Sequence, residues 1–244
     1  RFRLISSMTT VRPTIPSRDL PPEREQKMAA LSYAALTLRV LGFPDRALKH
    51  STEAVTLAQE LTHPFNLATW LQLAALFHVL RSEGAMTQER AEAAMTLSTE
   101  LGFPLHLAWG PMHQGWALGE QGHYESGIEL LRKGLSLYRA LGLVAWVPFY
   151  LGLLAELHGK IGRAEEGLSV LAEAREISKK KGDRWCEAEL YRLKGQLTLQ
   201  QGNQKAKVGT DPWSLAPDPQ AEAEACFQKA IEIAREQQAK SWEL

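Results

Sequence analysis

Glycine returns along this chain at a fixed interval. Gly102, Gly142 and Gly182 are spaced by 40 residues, and so are Gly122, Gly162 and Gly202. A period of this length marks a repeat array, in which no unit can bury its apolar side alone and each leans on the next. Two glycines per repeat, about 20 residues apart, mean two helices per repeat, each closed by a residue in the left-handed conformation that glycine adopts without steric penalty. Between the glycines, apolar residues recur at three and four rather than at two, so the segments read as helices and none as a strand. Leu41-Gly42-Phe43-Pro44 and His63-Pro64 hold the same phase earlier in the chain with other breakers.

The period predicts five hairpins. Their A helices fall near 26–41, 65–82, 105–121, 145–161 and 184–201. Their B helices fall near 45–61, 87–101, 124–141, 164–181 and 219–238. Ser241 to Leu244 would begin a sixth A helix. Leu171 aligns with Phe227 at an offset of 56, the 40-residue period plus a 16-residue insertion, so 203–218, with Gly209, Pro212 and Pro217, is expected as an inserted loop. Pro13, Pro16, Pro21 and Pro22 make residues 1–24 an extended or mobile lead-in to a repeat domain over 25–244. The predicted fold class is all-α: an α-α superhelix, or solenoid, of about five helical hairpins.

Small and large residues alternate in a fixed order within each hairpin. The third has Gly115, Gly127 and Gly134, with Leu118, Tyr124 and Leu131 between them. The small residues let two helices approach closely and the large ones fill the space that remains. The fourth repeats the order with Ala155, Gly162, Gly167, Leu171 and Ala174, and the fifth with Tyr191, Gly195, Gly202, Ala223, Phe227 and Ala230. The second is weakest, with Thr87 where a small residue is expected. This order resembles the tetratricopeptide (TPR) signature over roughly residues 26–244, with a period longer than the usual one. Segments such as Glu100-Leu101-Gly102-Phe103-Pro104-Leu105 and Ala188-Glu189-Leu190-Tyr191-Arg192-Leu193-Lys194-Gly195 also resemble the C-terminal repeats of bacterial signalling proteins. In those proteins an adenylate/guanylate cyclase and an AAA-type (STAND-like) ATPase precede the repeats. The resemblance implies a sensing or scaffolding tail without the parent's chemistry, since no Gly-x-x-x-x-Gly-Lys-Ser/Thr loop occurs in this sequence.

Lys+Arg and Asp+Glu both total 28, so the formal net charge is zero. A nucleic-acid or anionic-membrane partner favours a basic face, and neither is expected here. Lys179-Lys180-Lys181 is a cationic helix end, and Glu165-Glu166 an anionic helix start, each placed to favour the helix dipole. Cys186 and Cys226 lack metal spacing and read as reduced, packed thiols, which suits a cytoplasmic chain; Cys186, at a helix start, could instead be reactive. No apolar run is long enough to span a membrane. The absence of an initiator Met and the break after Leu244 suggest a fragment of a longer protein.

His106 and His113 share a helix face at seven-residue spacing, too far apart for two zinc ligands on one helix, so no metal is expected. The paired carboxylates do not converge on a pocket and no nucleophile elbow is present, so no catalytic residue or cofactor is expected and the chain reads as a non-enzyme.

In TPR arrays the A helices line a concave face. Carried onto this sequence, the family's inward positions are Gln72, Leu76, Trp109, Met112, Trp116, Phe149, Glu156, Glu189, Arg192 and Gln196. Aromatic, Met and Arg side chains of this kind make binding hot spots, and the expected ligand is an extended peptide, a helix or another domain of the same protein. The competing reading is that the aromatic stripe packs as core between neighbouring helices. A small-molecule sensor is the alternative function. An uncovered sixth helix start would also favour a homodimer through the C-terminal end.

Overall fold

The computed structural model describes residues 22–60, 63–208 and 218–243. Ten α-helices are present among them and no strand. They are α1 (Pro22–Val40), α2 (Pro44–Glu60), α3 (Pro64–Leu80), α4 (Gly84–Leu101), α5 (Pro104–Glu120), α6 (Tyr124–Ala140), α7 (Val147–Lys160), α8 (Ala164–Lys181), α9 (Glu187–Val208) and α10 (Pro219–Gln237). One turn of 3-10 helix follows at Lys240–Trp242, where a sixth A helix was expected to start. The all-α class and the five hairpins agree with the glycine period.

The two largest departures from the expected boundaries lie at the end of α9 and the start of α1. The helix expected to end at Gln201 runs on to Val208, into the span 203–218 read as a loop; the remainder of that span, 209–217, lies outside the described residues. Gly202 is therefore a helix-interior residue rather than a terminator, and a Cβ there would lie 2.5 Å from Pro219 Cβ. At the other end α1 already includes Pro22, so the lead-in is helical from that residue; residues 1–21 lie outside the described set.

Among the described residues, proline opens five of the ten helices and a left-handed residue closes eight. Pro22, Pro44, Pro64, Pro104 and Pro219 each stand at the first position, where the missing N–H is no loss. Asp218 caps α10 by accepting from the Gln220 N–H at 3.0 Å. At the far ends, Gly42, Gly102, Gly122, Gly142, Gly162 and Gly182 all have φ between 65° and 88°. Ser82 (φ 57°) and Gln238 (φ 58°) hold the same conformation without being glycine. Ser82 falls on the 20-residue register, and Gln238 falls on it once the 16-residue insertion is included. At all eight turns the next N–H bonds to the carbonyl five residues back, from Phe43 to Leu38 through Ala239 to Ala234, which closes a Schellman motif.

The chain divides into two compact units, Arg1–Ala145 and Trp146–Leu244. In the first, α1/α2, α3/α4 and α5/α6 form hairpins, and α1, α3 and α5 pack successively on one another. In the second, α7/α8 and α9/α10 form hairpins and α7 packs on α9. The hairpins close tightly where a side chain is missing. A Cβ on Gly115 would stand 2.6 Å from the Gly127 carbonyl oxygen, and one on Gly134 would stand 2.9 Å from the Met112 nitrogen. Thr87, the residue expected to weaken the second hairpin, is fully buried on the α4 side of it.

The two helix types are buried differently. In α3, 13 of 17 residues are buried, and in α7, 12 of 14, so these helices are apolar nearly all round. In α2 and α8 only five residues are buried, as a single stripe. The A helices α3 and α7 are thus enclosed, whereas α1, an A helix with five buried residues of 19, is amphipathic like the B helices α2 and α8. No helix among the described residues is long and apolar enough to cross a membrane.

Candidate partner-binding site

The expected recognition residues line up in register on successive A helices. Gln72, Met112 and Arg192 occupy one 40-residue column, with Gly152 between the last two. Leu76, Trp116, Glu156 and Gln196 occupy a second. Thr69, Trp109, Phe149 and Glu189 occupy a third. Down each column the chemistry changes from apolar, amide or hydroxyl in α3 and α5 to charged or exposed in α9.

In the first unit all five candidates are buried: Gln72, Leu76, Trp109, Met112 and Trp116 are each 4% exposed or less. They surround a polar network joining α3 to α5. Thr69 Oγ1 donates to the Phe65 carbonyl at 2.9 Å, so it accepts from His106 Nε2 at 3.2 Å. Gln72 Nε2 donates to the His106 carbonyl at 3.4 Å, and its Oε1 accepts from His113 Nδ1 at 2.7 Å. Burial lowers His106 to a pKa of about 4 and His113 to about 3, because a charged imidazole loses its hydration there. Both histidines are neutral at physiological pH and act as hydrogen-bonding struts between helices. Trp109 lies over His113 with ring centroids 5.7 Å apart. Met112 fills the space above Gly134. These side chains hold the unit together, which is the core reading of the stripe.

The second unit differs. Phe149 is buried against Trp185, centroids 5.1 Å apart, and so belongs to its core. Glu156, Glu189 and Arg192 are half-buried and Gln196 is exposed. Glu189 grips Arg192 with both oxygens: Nε donates to Oε2 at 2.7 Å and Nη2 to Oε1 at 2.5 Å. That fork holds the guanidinium charge against partial burial, and the Glu156 carboxylate adds to it from α7. Four of the ten expected residues therefore present polar groups at the surface, all on α7 and α9.

Other features were not foreseen. An aromatic side chain stands at the head of each of several A helices and packs on the next. Phe65 meets Phe103 edge-on at 5.1 Å in the first unit. In the second, Trp146 meets Trp185 at 5.1 Å and Trp185 meets Trp242 at 5.9 Å. Aligning the residues just before each A helix would have exposed this ladder. Cys186, beside Trp185, is fully buried, and burial raises its thiol pKa well above the usual value, which favours packing over reactivity.

A family model described as anaphase-promoting complex subunit 5 matches residues 17–82, 148–192 and 216–242, together more than half of the chain. An uncharacterised protein of Rhizobium meliloti (strain 1021) is 25% identical over 187 residues. That alignment covers 77% of this chain but 18% of the relative, so the chain spans less than a fifth of that protein's length. Among solved structures, BtubC from P. vanneervenii superposes with a TM-score of 0.57 at 17% identity, covering 96% of this chain and 87% of that one. The nearly identical TPR-like repeats of a kinesin light chain from Podosopora anserina superpose at 0.52 and 13% identity, covering 90% and 99%. At such identities the structures establish the fold, a TPR-like helical array, and the family match adds descent: this chain belongs to the family described by the anaphase-promoting complex subunit 5 model.

Proposed function

We propose that the chain is a non-catalytic, TPR-type protein-interaction module whose partner docks on the α7/α9 face carrying Glu156, Glu189, Arg192 and Gln196. One observation carries the reading. The register columns that are buried core in α3 and α5 reach the surface on α9 as charged and amide groups, and one of them does so already on α7, at Glu156. Conversion of a core position into a surface position with a preorganised Glu–Arg fork favours polar recognition of an extended segment or a helix. The TPR-like fold of the neighbours supports protein binding in general. The small share of the Rhizobium relative that this chain covers makes another domain of a longer protein a natural partner. The resemblance to cyclase–ATPase repeat tails supplies one such setting.

The test is selection of binders from a displayed peptide library on the intact chain, followed by direct affinity measurement. The double variant Glu189→Ala/Arg192→Ala removes both members of the fork together, so that neither is left half-buried without the other. Selected peptides should bind it at least tenfold more weakly, with the helical circular dichroism unchanged. Peptides that bind wild type and double variant equally would place the recognition surface elsewhere.

A further inference from the structure

We propose that a cleft between α8, α9 and α10 is a binding site for a short aliphatic carboxylate. The cleft has a volume of about 230 Å³ and lies wholly within the second unit. Leu168 and Leu171 of α8 give it an apolar wall, and Arg175, one turn further on, stands at its polar end. Lys194 and Thr198 of α9 line the opposite side.

The charges are unevenly matched. Lys194 Nζ is paired with Glu222 Oε1 of α10 at 2.7 Å. Arg175 has no carboxylate partner among the described residues. Its Nη2 donates to the phenol oxygen of Tyr191 at 2.8 Å, and its Cζ lies 4.4 Å from the Tyr191 ring centroid. A neutral phenol and a π-face hold the guanidinium in place without neutralising it, and most of its N–H donors stay available. A fixed planar donor fork without a counter-ion, beside an apolar wall, matches a carboxylate on a short hydrocarbon stem. The cavity is below the roughly 300–1,000 Å³ typical of drug-sized ligands, so it accommodates one small group. That group could be a free short-chain acid or the side chain of a Glu or Asp in a bound segment. The cleft is independent of the partner-binding face. Lys194 and Thr198 project from the side of α9 opposite to Glu189, Arg192 and Gln196, by the 100° advance of an α-helix.

Thermal unfolding and calorimetric titration of the whole chain with butyrate and hexanoate test the site. Butylamine and matched sodium chloride serve as controls, and a blocked oligo-glutamate peptide forms a second arm. The acids should raise the melting temperature and butylamine should not. Arg175→Met should weaken the acid affinity at least tenfold. Arg175→Lys, which keeps the charge and loses the planar fork, should give an intermediate affinity. Tyr191→Phe, which keeps the ring beneath the guanidinium, should bind within about threefold of wild type. A response to the free acids assigns the site to a small molecule, and a response to the peptide alone assigns it to a partner's acidic side chain. No response to either, or equal responses in wild type and both Arg175 variants, overturns the proposal.

Discussion

Ser82 and Gln238 adopt a left-handed conformation at turns where six other helices use glycine. An L-residue there is strained by roughly 1–2 kcal/mol, while glycine adds about 0.5–1 kcal/mol of chain entropy to the unfolded state. The first term is the larger, so Ser82→Gly should stabilise the protein by about 0.5–1 kcal/mol and raise its melting temperature by roughly 2 °C. Gly122→Ala should do the reverse by a similar amount, since its φ is 86° and the space around it is open, leaving backbone strain as the cause. Calorimetry on both variants checks the pair; a destabilised Ser82→Gly would show that the serine side chain contributes more than the turn strain removes. His106 and His113 set a second expectation. Their folded pKa values, about 4 and about 3, lie below the unfolded value near 6.5. The unfolded chain therefore binds their protons first as pH falls. Their stabilisation is complete above about pH 6.5 and is lost progressively toward pH 3–4, by about 2 kcal/mol for each at pH 5. Urea midpoints at pH 7 and pH 5 measure this, and His113→Gln, whose amide can still donate to Gln72, should flatten the dependence. A variant with the wild-type pH slope would show that the buried imidazole is not its source.

At the scale of the helix pair, the missing side chains decide how closely two helices approach. A Cβ on Gly115 would press on backbone atoms of α6, the Gly127 oxygen at 2.6 Å and the Leu131 nitrogen at 2.7 Å, which cannot step aside as a flexible side chain can. Gly115→Val should destabilise by roughly 2–4 kcal/mol through forced separation of α5 from α6. Gly110→Ala meets side-chain atoms alone, the Met95 sulfur at 2.1 Å and the Gln72 Nε2 at 3.3 Å, and should have a much smaller effect because Met repacks readily. Denaturant titration of the two variants gives the contrast; equal losses would mean that α5 cannot distinguish backbone from side-chain obstruction. The hairpins were legible in the sequence because two sets of glycines share one repeat: Gly102, Gly122, Gly142 and Gly182 mark the period at left-handed turns with open space around them, and Gly115 and Gly134 make the close contacts between helices. Gly202 misled because its role is contact alone, against Pro219, and a close-contact glycine looks like a terminator in a string of letters. Ser82 was invisible because nothing in its chemistry announces a left-handed turn, although its place in the register does. The candidate site was only partly legible for a different reason. Helical spacing shows which residues share a face, but burial depends on what packs against that face. Trp109 and Met112 therefore turned out to be core, whereas Glu189 and Arg192, on the same columns, reach the surface.

At the scale of the whole molecule, contacts are local in sequence. Within each unit a helix packs on its immediate neighbour or on the next but one. A chain wired this way behaves as a linear array, in which stability is the sum of local hairpin terms and nearest-neighbour couplings. Each unit also has a core of its own, built around Trp70, Phe77 and Met112 in the first and around Tyr150, Leu171 and Leu190 in the second. A lesion should therefore remain within the unit where it is made. Gly115→Val should speed amide exchange in α3 to α6 in proportion to its loss of stability, while amides of α9 and α10 keep their protection to within about threefold. The reciprocal lesion is Gly195→Val, whose first added carbon would stand 2.6 Å from the Phe227 ring, and it should leave α3 to α6 protected. Native-state hydrogen exchange on both variants reads the two units separately. Uniform loss of protection along the whole chain in either variant would mean that the hairpins unfold as one cooperative body, and the array description would then fail.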